Sequence, residues 1–217
     1  MKIKKKVAIV EDNPGIRSQL VKIITAAADM ECLAAVKSAE LALEKIPPLR
    51  PEIVLMDIKL PGMSGIECIP LLKQKLPDME ILILSIYEEE DQVYNALKAG
   101  ANGYLVKSSE PDTLLAAIRD IYFGGTPFSP HIARKVVRYF RQPVTVSAAS
   151  PGEETLAPRE FELLELVAAG CFNSEIAERM GITFESVRTY IKRIYAKLHV
   201  RNRTEAVLRH LQRKKHS

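Results

Sequence analysis

Glu11 and Asp12, Asp57, Ser85 and Lys107 each stand immediately after a short apolar run: Val7–Val10, Ile53–Met56, Ile81–Leu84 and Tyr104–Val106 respectively. In an open parallel sheet, ligands gather beyond the carboxyl ends of the strands, which makes these five side chains candidates for one site. Singly, each has an ordinary explanation, because acids after strands cap helices and a lysine there is usually solvated. The ordered set carries the argument. Three carboxylates on one edge repel one another, and a hard divalent cation with oxygen ligands, Mg2+ by choice, keeps them ionised. One carboxylate can then act as nucleophile on a phosphoryl group while Lys107 and the Ser85 hydroxyl stabilise the added anionic oxygens. That chemistry is aspartyl phosphorylation.

A second stretch suits a different partner. Between Ser186 and Lys215 there are ten Lys or Arg and one acid, Glu205, the footprint of a phosphate-backbone binder. Just before it, Met180-Gly181-Ile182-Thr183 joins two helical patterns by a tight turn, with Gly181 suited to a left-handed backbone and Thr183 to an N-cap, a helix-turn-helix signature. On the following helix Val187, Ile191, Ile194 and Leu198 share one face. Glu185, Thr189, Lys192 and Ala196 then face away, flanked by Arg188 and Arg193. The competing reading is a solvated face of a core helix.

The elements that must position these residues follow from periodicity. Val7–Val10, Cys32–Val36, Ile53–Met56, Ile81–Leu84 and Tyr104–Val106 read as buried strands. Helical spacing lies between them at Ile16–Ala28, Ala39–Ile46, Gly65–Leu76, Glu89–Ala99 and Pro111–Phe123. Five βα units predict an α/β doubly wound parallel sheet with helices on both faces. Pro130–Arg141 predicts one more helix, basic and exposed, and Gln142–Glu154, rich in Pro, Ser, Ala and Gly, a flexible join. Pro158–Ala169, Ser174–Met180, Phe184–Leu198 and Thr204–Arg213 then predict a compact all-α unit of about 60 residues.

By length, 217 residues read as one large domain or two small ones, and 47% hydrophobic content suffices to bury a core. From Leu156 onward twelve Lys or Arg face seven acids, so the net charge of +4 belongs to the C-terminal piece. The longest apolar runs fall far short of a membrane span, and the apolar stretch after Met1–Lys6 is too short for an export signal. A soluble cytoplasmic protein is expected, without membrane partners. Cys32, Cys68 and Cys171 have no close pairing or metal spacing, so neither a disulfide framework nor a zinc site is expected.

Val10-Glu11-Asp12, Leu55-Met56-Asp57, Pro61-Gly62-Met63-Ser64-Gly65, Ser85, Ala99-Gly100-Ala101 and Gly103-Tyr104-Leu105-Val106-Lys107 together resemble the receiver domain of bacterial response regulators. Leu156-Ala157-Pro158-Arg159-Glu160, Gly170, Asn173-Ser174-Glu175-Ile176-Ala177, Val187-Arg188-Thr189-Tyr190 and Lys197 to Ala206 resemble the LuxR-type DNA-binding domain. The pair is the arrangement of NarL/FixJ-type two-component response regulators. The resemblance implies a flavodoxin-like receiver with strand order 2-1-3-4-5 at residues 1–126, an extra helix and linker at 127–154, and a four-helix helix-turn-helix domain at 155–217. It implies Asp57 as phosphoacceptor, Mg2+ held by Glu11, Asp12, Asp57 and the Lys59 carbonyl, and a switch of Ser85, Tyr104 and Lys107. Thr183, Glu185, Arg188, Thr189 and Lys192 would approach bases or phosphates, while Arg193, Lys197, Arg201 and Arg203 would mostly meet the DNA backbone. The implied partners are a cognate sensor histidine kinase, double-stranded promoter DNA and, once phosphorylated, a second copy of the chain.

The chain departs from the pattern in places. Ser108 stands where many receivers have Pro after the lysine, and Ala157 where a Thr cap is common before Pro158. Tyr190 replaces a commonly seen His. Lys59 and Tyr87 are bulky residues two positions after Asp57 and Ser85, where they would hinder attacking water. Three rival readings fit the residues less well. A haloacid-dehalogenase-type phosphatase wants a second Asp where Lys59 stands. A protein-interaction adaptor leaves the basic stretch without a purpose, and a flavin-binding module would have its cofactor phosphate repelled by the acids.

Overall fold

The structure, a computed structural model, describes residues 4–86, 89–141 and 156–214. Two compact units emerge, Met1–Tyr122 with Thr126–Arg141, and Phe123–Gly125 with Gln142–Ser217. Tyr87 and the expected join at Gln142–Glu154 lie outside the described residues.

In the first unit, β1 (Lys5–Val10), β2 (Met30–Val36), β3 (Ile53–Met56), β4 (Glu80–Ser85) and β5 (Gly103–Val106) form one sheet in the order β2-β1-β3-β4-β5, all pairs parallel. The helices between them are α1 (Pro14–Ala26), α2 (Ala39–Lys45), α3 (Gly65–Lys75) and α4 (Glu90–Ala99), with α5 (Pro111–Tyr122) following β5. Successive strand residues feed opposite faces. Val7, Ile9, Ile53, Leu55, Leu82, Leu84 and Leu105 meet the apolar faces of α1 and α5, whereas Ala8, Val10, Val54, Met56, Ile81, Ile83 and Tyr104 meet those of α2, α3 and α4. Both layers being covered, the strands read as continuous apolar runs.

Register fixes where the strands stop together. Val10 pairs with both Val36 and Met56, Met56 with Ile83, and Ser85 with Val106. The next hydrogen bonds, Asp57 N–H to the Val10 carbonyl at 2.9 Å and Lys107 N–H to the Ser85 carbonyl at 3.0 Å, carry that alignment one residue past the strand ends.

Helix α6 (Pro130–Arg141) corrects the expectation of an exposed helix. Ile132 is fully buried, and Val136 and Phe128 pack on the same core as Tyr104. The preceding segment adds to the sheet edge: Tyr104 N–H donates to the Pro127 carbonyl at 3.0 Å, and Ser129 N–H donates to the Tyr104 carbonyl at 3.2 Å. Val106 N–H donates to Ser129 Oγ at 3.1 Å. Basic residues dominate the composition of α6, yet its few apolar positions decide where it sits.

The second unit holds α7 (Pro158–Ala168), α8 (Asn173–Met180), α9 (Phe184–Leu198) and α10 (Arg203–Lys214). Their core is Leu163, Leu164, Val167, Cys171, Ile176, Val187, Ile194, Leu198 and Ala206. Gly181, at φ 63°, takes the left-handed conformation that closes α8, and Thr183 Oγ1 accepts from Ser186 N–H at 3.1 Å to start α9. Ala157 supplies no side-chain cap to α7; the reverse half of the cap is present, with Glu160 Oε2 accepting from Ala157 N–H at 2.8 Å. Among the described residues no helix is long and apolar enough to cross a membrane.

Candidate functional site

The aligned strand ends bring Glu11, Asp12 and Asp57 together, each offering a carboxylate oxygen within 4.8 Å of the others. Lys107 enters from the end of β5, its Nζ 2.7 Å from Glu11 Oε2 and 2.9 Å from Asp57 Oδ2. Glu11 and Asp57 are buried, Asp12 is exposed, and Ser85 at the end of β4 is buried. Lys59 is exposed on the loop after Asp57. Tyr104 is fully enclosed, because the Pro127–Ser129 segment and Ile132 cover it.

The loop after β3 is pressed tightly onto Asp57. A Cβ at Gly65, the first residue of α3, would sit 1.9 Å from the Asp57 carbonyl oxygen, so only glycine permits this approach. Ser64 and Glu67 form a reciprocal cap on α3. Glu40 on α2 accepts from Met63 N–H at 3.0 Å and holds the far side of the loop. In the sequence Glu40 shows only as an acid in the first turn of a helix, which does not mark it as part of the site.

Electrostatics follow from burial. Removal from water pushes the Glu11 carboxyl above its usual range, and the neighbouring Asp57 charge adds to this, against the pull of Lys107. Burial alone would lower Lys107, but hydrogen bonds and charge from Glu11 and Asp57 outweigh it and hold the ammonium protonated more firmly than usual. An all-oxygen donor set of this compactness and charge suits a hard divalent cation, so the residues present fit Mg2+. The Lys107–Ser108 peptide is trans, as is every described peptide bond.

On α9, Thr183, Glu185, Thr189, Lys192 and Arg193 are exposed and Arg188 is half-buried, a polar stripe opposite the buried Val187, Ile194 and Leu198. Thr189 Oγ1 donates to the Glu185 carbonyl at 2.9 Å, and Arg188 lies 4.0 Å from Glu185. Arg201, beyond α9, is exposed. Two other basic residues are placed differently from expectation. Arg203 is buried, donating to the Val167 carbonyl at 3.3 Å, to Asn173 Oδ1 at 3.3 Å and to the Cys171 carbonyl. Arg203 adds a charged donor to the Val167 carbonyl at the end of α7 and to the Cys171 carbonyl beyond it, an interior commitment that removes it from the phosphate-facing set. Lys197 is half-buried, with its ammonium 2.8 Å from the buried Glu160 of α7, so its first commitment is inside the helical unit.

A doubly wound sheet with an acid and lysine pocket at its carboxyl edge, joined to a helix-turn-helix unit, defines a two-domain DNA-binding regulator. Residues 7–119 match the family model for the response regulator receiver domain, and residues 154–210 that of the bacterial regulatory proteins of the luxR family. Response regulator protein VraR of Staphylococcus saprophyticus is 32% identical over 94% of each chain, and oxygen regulatory protein NreC of Staphylococcus epidermidis 31% identical over 93% of this chain and 94% of that one. Among solved structures, response regulator ChrA of a heme-sensing two-component system is 27% identical over 97% of this chain and 98% of that one, with a TM-score of 0.53. A LuxR-family response regulator from Aurantimonas is 31% identical over 63% of this chain and 98% of its own, at 0.60. The chain belongs to the NarL/FixJ-type response regulators, with a receiver domain and a LuxR-type DNA-binding domain, and is a transcription regulator.

Proposed function

We propose that Asp57 accepts a phosphoryl group from the phosphohistidine of a cognate sensor kinase. An Asp57 carboxylate oxygen forms the new O–P bond as the N–P bond of the donor breaks. Mg2+, when bound by Glu11, Asp12, Asp57 and the Lys59 carbonyl, supplies charge neutralisation for the incoming phosphoryl oxygens. Lys107 is poised to pair with the added anion, since its ammonium already bridges Glu11 and Asp57. The observation that carries this reading is the convergence of three carboxylates and that one ammonium at the aligned ends of β1, β3 and β5.

The response then passes along β5. A dianion on Asp57 draws the Ser85 hydroxyl and Lys107 toward it, and Lys107 N–H is bonded to the Ser85 carbonyl, so β4 and β5 move together. Tyr104 shares its backbone bonds with Pro127 and Ser129, which links this movement to α6 and the chain beyond. The altered receiver favours a homodimer. Two linked helix-turn-helix units then read two half-sites of promoter DNA in the cytoplasm, gaining affinity from their linkage. Thr183, Glu185, Arg188, Thr189 and Lys192 approach bases or nearby phosphates, and Arg193 and Arg201 the backbone. For boundaries we take 1–126, 127–154 and 155–217, with α6 folded onto the receiver.

The test is to incubate wild type and Asp57→Asn with acetyl phosphate and Mg2+, following labelling and promoter-DNA retention in parallel. Wild type should acquire label and retain DNA more strongly, and Asp57→Asn should do neither. Labelling that survives Asp57→Asn overturns the assignment of the phosphoacceptor.

A further inference from the structure

Arg17 lies one turn into α1, five residues beyond Asp12, and its side chain folds back over the start of the helix. A single guanidinium nitrogen, Nη1, donates to the Glu11 carbonyl at 2.8 Å and to the Asp12 carbonyl at 2.9 Å. In an extended strand, successive carbonyls point to opposite sides, out of reach of one donor. The backbone at Asp12 has therefore turned out of strand geometry just past the end of β1 at Val10, and Arg17 is bound to the peptides on both sides of that turn.

That turn matters for the acids. Adjacent strand side chains point to opposite faces, which would send one of two consecutive carboxylates away from Asp57. Instead Glu11, Asp12 and Asp57 share one cluster. The following residue secures the loop from its other side: Asn13 N–H donates to Glu11 Oε1 at 3.3 Å, while Asn13 Oδ1 accepts from Gly15 N–H at 2.9 Å and Ile16 N–H at 3.2 Å, capping α1. The helix cap and the arginine thus hold the same three-residue loop.

We propose that Arg17 is a positioning residue of the acidic pocket, fixing the peptides on either side of Asp12 so that two consecutive carboxylates serve one divalent cation. It touches neither cation nor phosphoryl group. The proposal rests on the reading of the pocket as a Mg2+ and phosphoryl site. Lysine is only a partial substitute: its ammonium can also donate to two carbonyls, but it lacks the rigid plane that holds Nη1 between them.

Mg2+ alone is titrated into the full-length protein and followed by amide chemical shifts of the Glu11–Asn13 loop, with melting temperature recorded in parallel. Loss of a residue that orients ligands typically weakens metal binding by about 10- to 100-fold, and that is the expected outcome for Arg17→Ala, with partial recovery in Arg17→Lys. Arg119→Ala is the control for stability, since it breaks an ion pair with Asp29 away from the pocket. It should lower the melting temperature and leave Mg2+ affinity unchanged. Wild-type affinity in Arg17→Ala, or equal losses of affinity in Arg17→Ala and Arg119→Ala, overturns the positioning role alone while Asp57-dependent labelling stands. Failure of wild type to bind Mg2+ overturns this proposal and the functional reading together.

Discussion

The acidic pocket and the outward face of α9 both concentrate charge, in opposite surroundings. Glu11 is 1% exposed, Asp57 5% and the Lys107 side chain 10%, whereas Glu185, Lys192 and Arg193 stand in water. Buried charges stay ionised only through one another, so the pocket behaves as a unit in which removing one member stresses the rest. Charges on α9 are screened individually, and changing one subtracts a single contact from whatever the helix meets while leaving folding nearly untouched. The first arrangement makes each charge depend on its neighbours. The second leaves each charge largely independent of the rest.

Lys107→Ala is the sharpest way to break this contrast, with the largest expected effect. It leaves Glu11 and Asp57 buried without their ammonium, at a cost of about 3–5 kcal/mol measured by urea unfolding at pH 7 in EDTA. The Glu11 carboxyl, already held above the usual 4.5, must rise further. A carboxyl raised in the folded state binds its proton more readily there than in the unfolded chain, so the deficit should shrink as pH falls from 7 toward 5. Mg2+ should shrink it too. A deficit indifferent to both pH and Mg2+ would mean that lost packing, not repulsion, is the cause.

Arg203 and Arg201 sit two residues apart and fall on opposite sides of the comparison. Arg203→Ala should destabilise the helical unit by about 2–3 kcal/mol, because buried carbonyls lose a charged donor, while the salt dependence of DNA binding keeps its slope. Arg201→Ala should leave the melting temperature in place, weaken all duplexes alike and flatten the log–log salt slope by about 1. Lys192→Ala, also exposed, should instead erode preference for the specific site by about 1–3 kcal/mol. Should Arg203→Ala flatten the salt slope with no loss of stability, its assignment to the interior is wrong.

That pair also marks where sequence reading runs out. The sheet was legible because buried parallel strands leave uninterrupted apolar runs, and Glu11, Asp57, Ser85 and Lys107 were legible because position after a strand end is itself spatial information. Composition misled at α6 and Arg203, since a basic run does not reveal that Ile132 fills a gap beside Tyr104 or that one arginine among ten closes a helix end. Arg17 left almost no trace. A basic residue in the first turns of a helix is commonplace, and only the two carbonyls converging on its Nη1 give it a role.

The smallest effect lies at the amino-terminal end of the sheet. Asp29 receives two hydrogen bonds from Arg119, at 2.9 and 3.0 Å, and one from Lys5 at 3.1 Å, which hold its carboxyl far below the usual 3.8. Water reaches this cluster, so screening limits the contribution and Asp29→Asn should cost about 1 kcal/mol at neutral pH. A carboxyl depressed in the folded state stabilises above its unfolded value and loses that contribution as pH falls through the folded one. The gap between wild type and Asp29→Asn should therefore stay level from pH 7 to 5 and close only on acidification below about 3.8. Across the interval from pH 7 to 5, the Lys107→Ala deficit should already be closing. Urea unfolding of both variants over one pH series separates a solvated ion pair from a buried, mutually dependent one, and parallel pH profiles would refute the distinction.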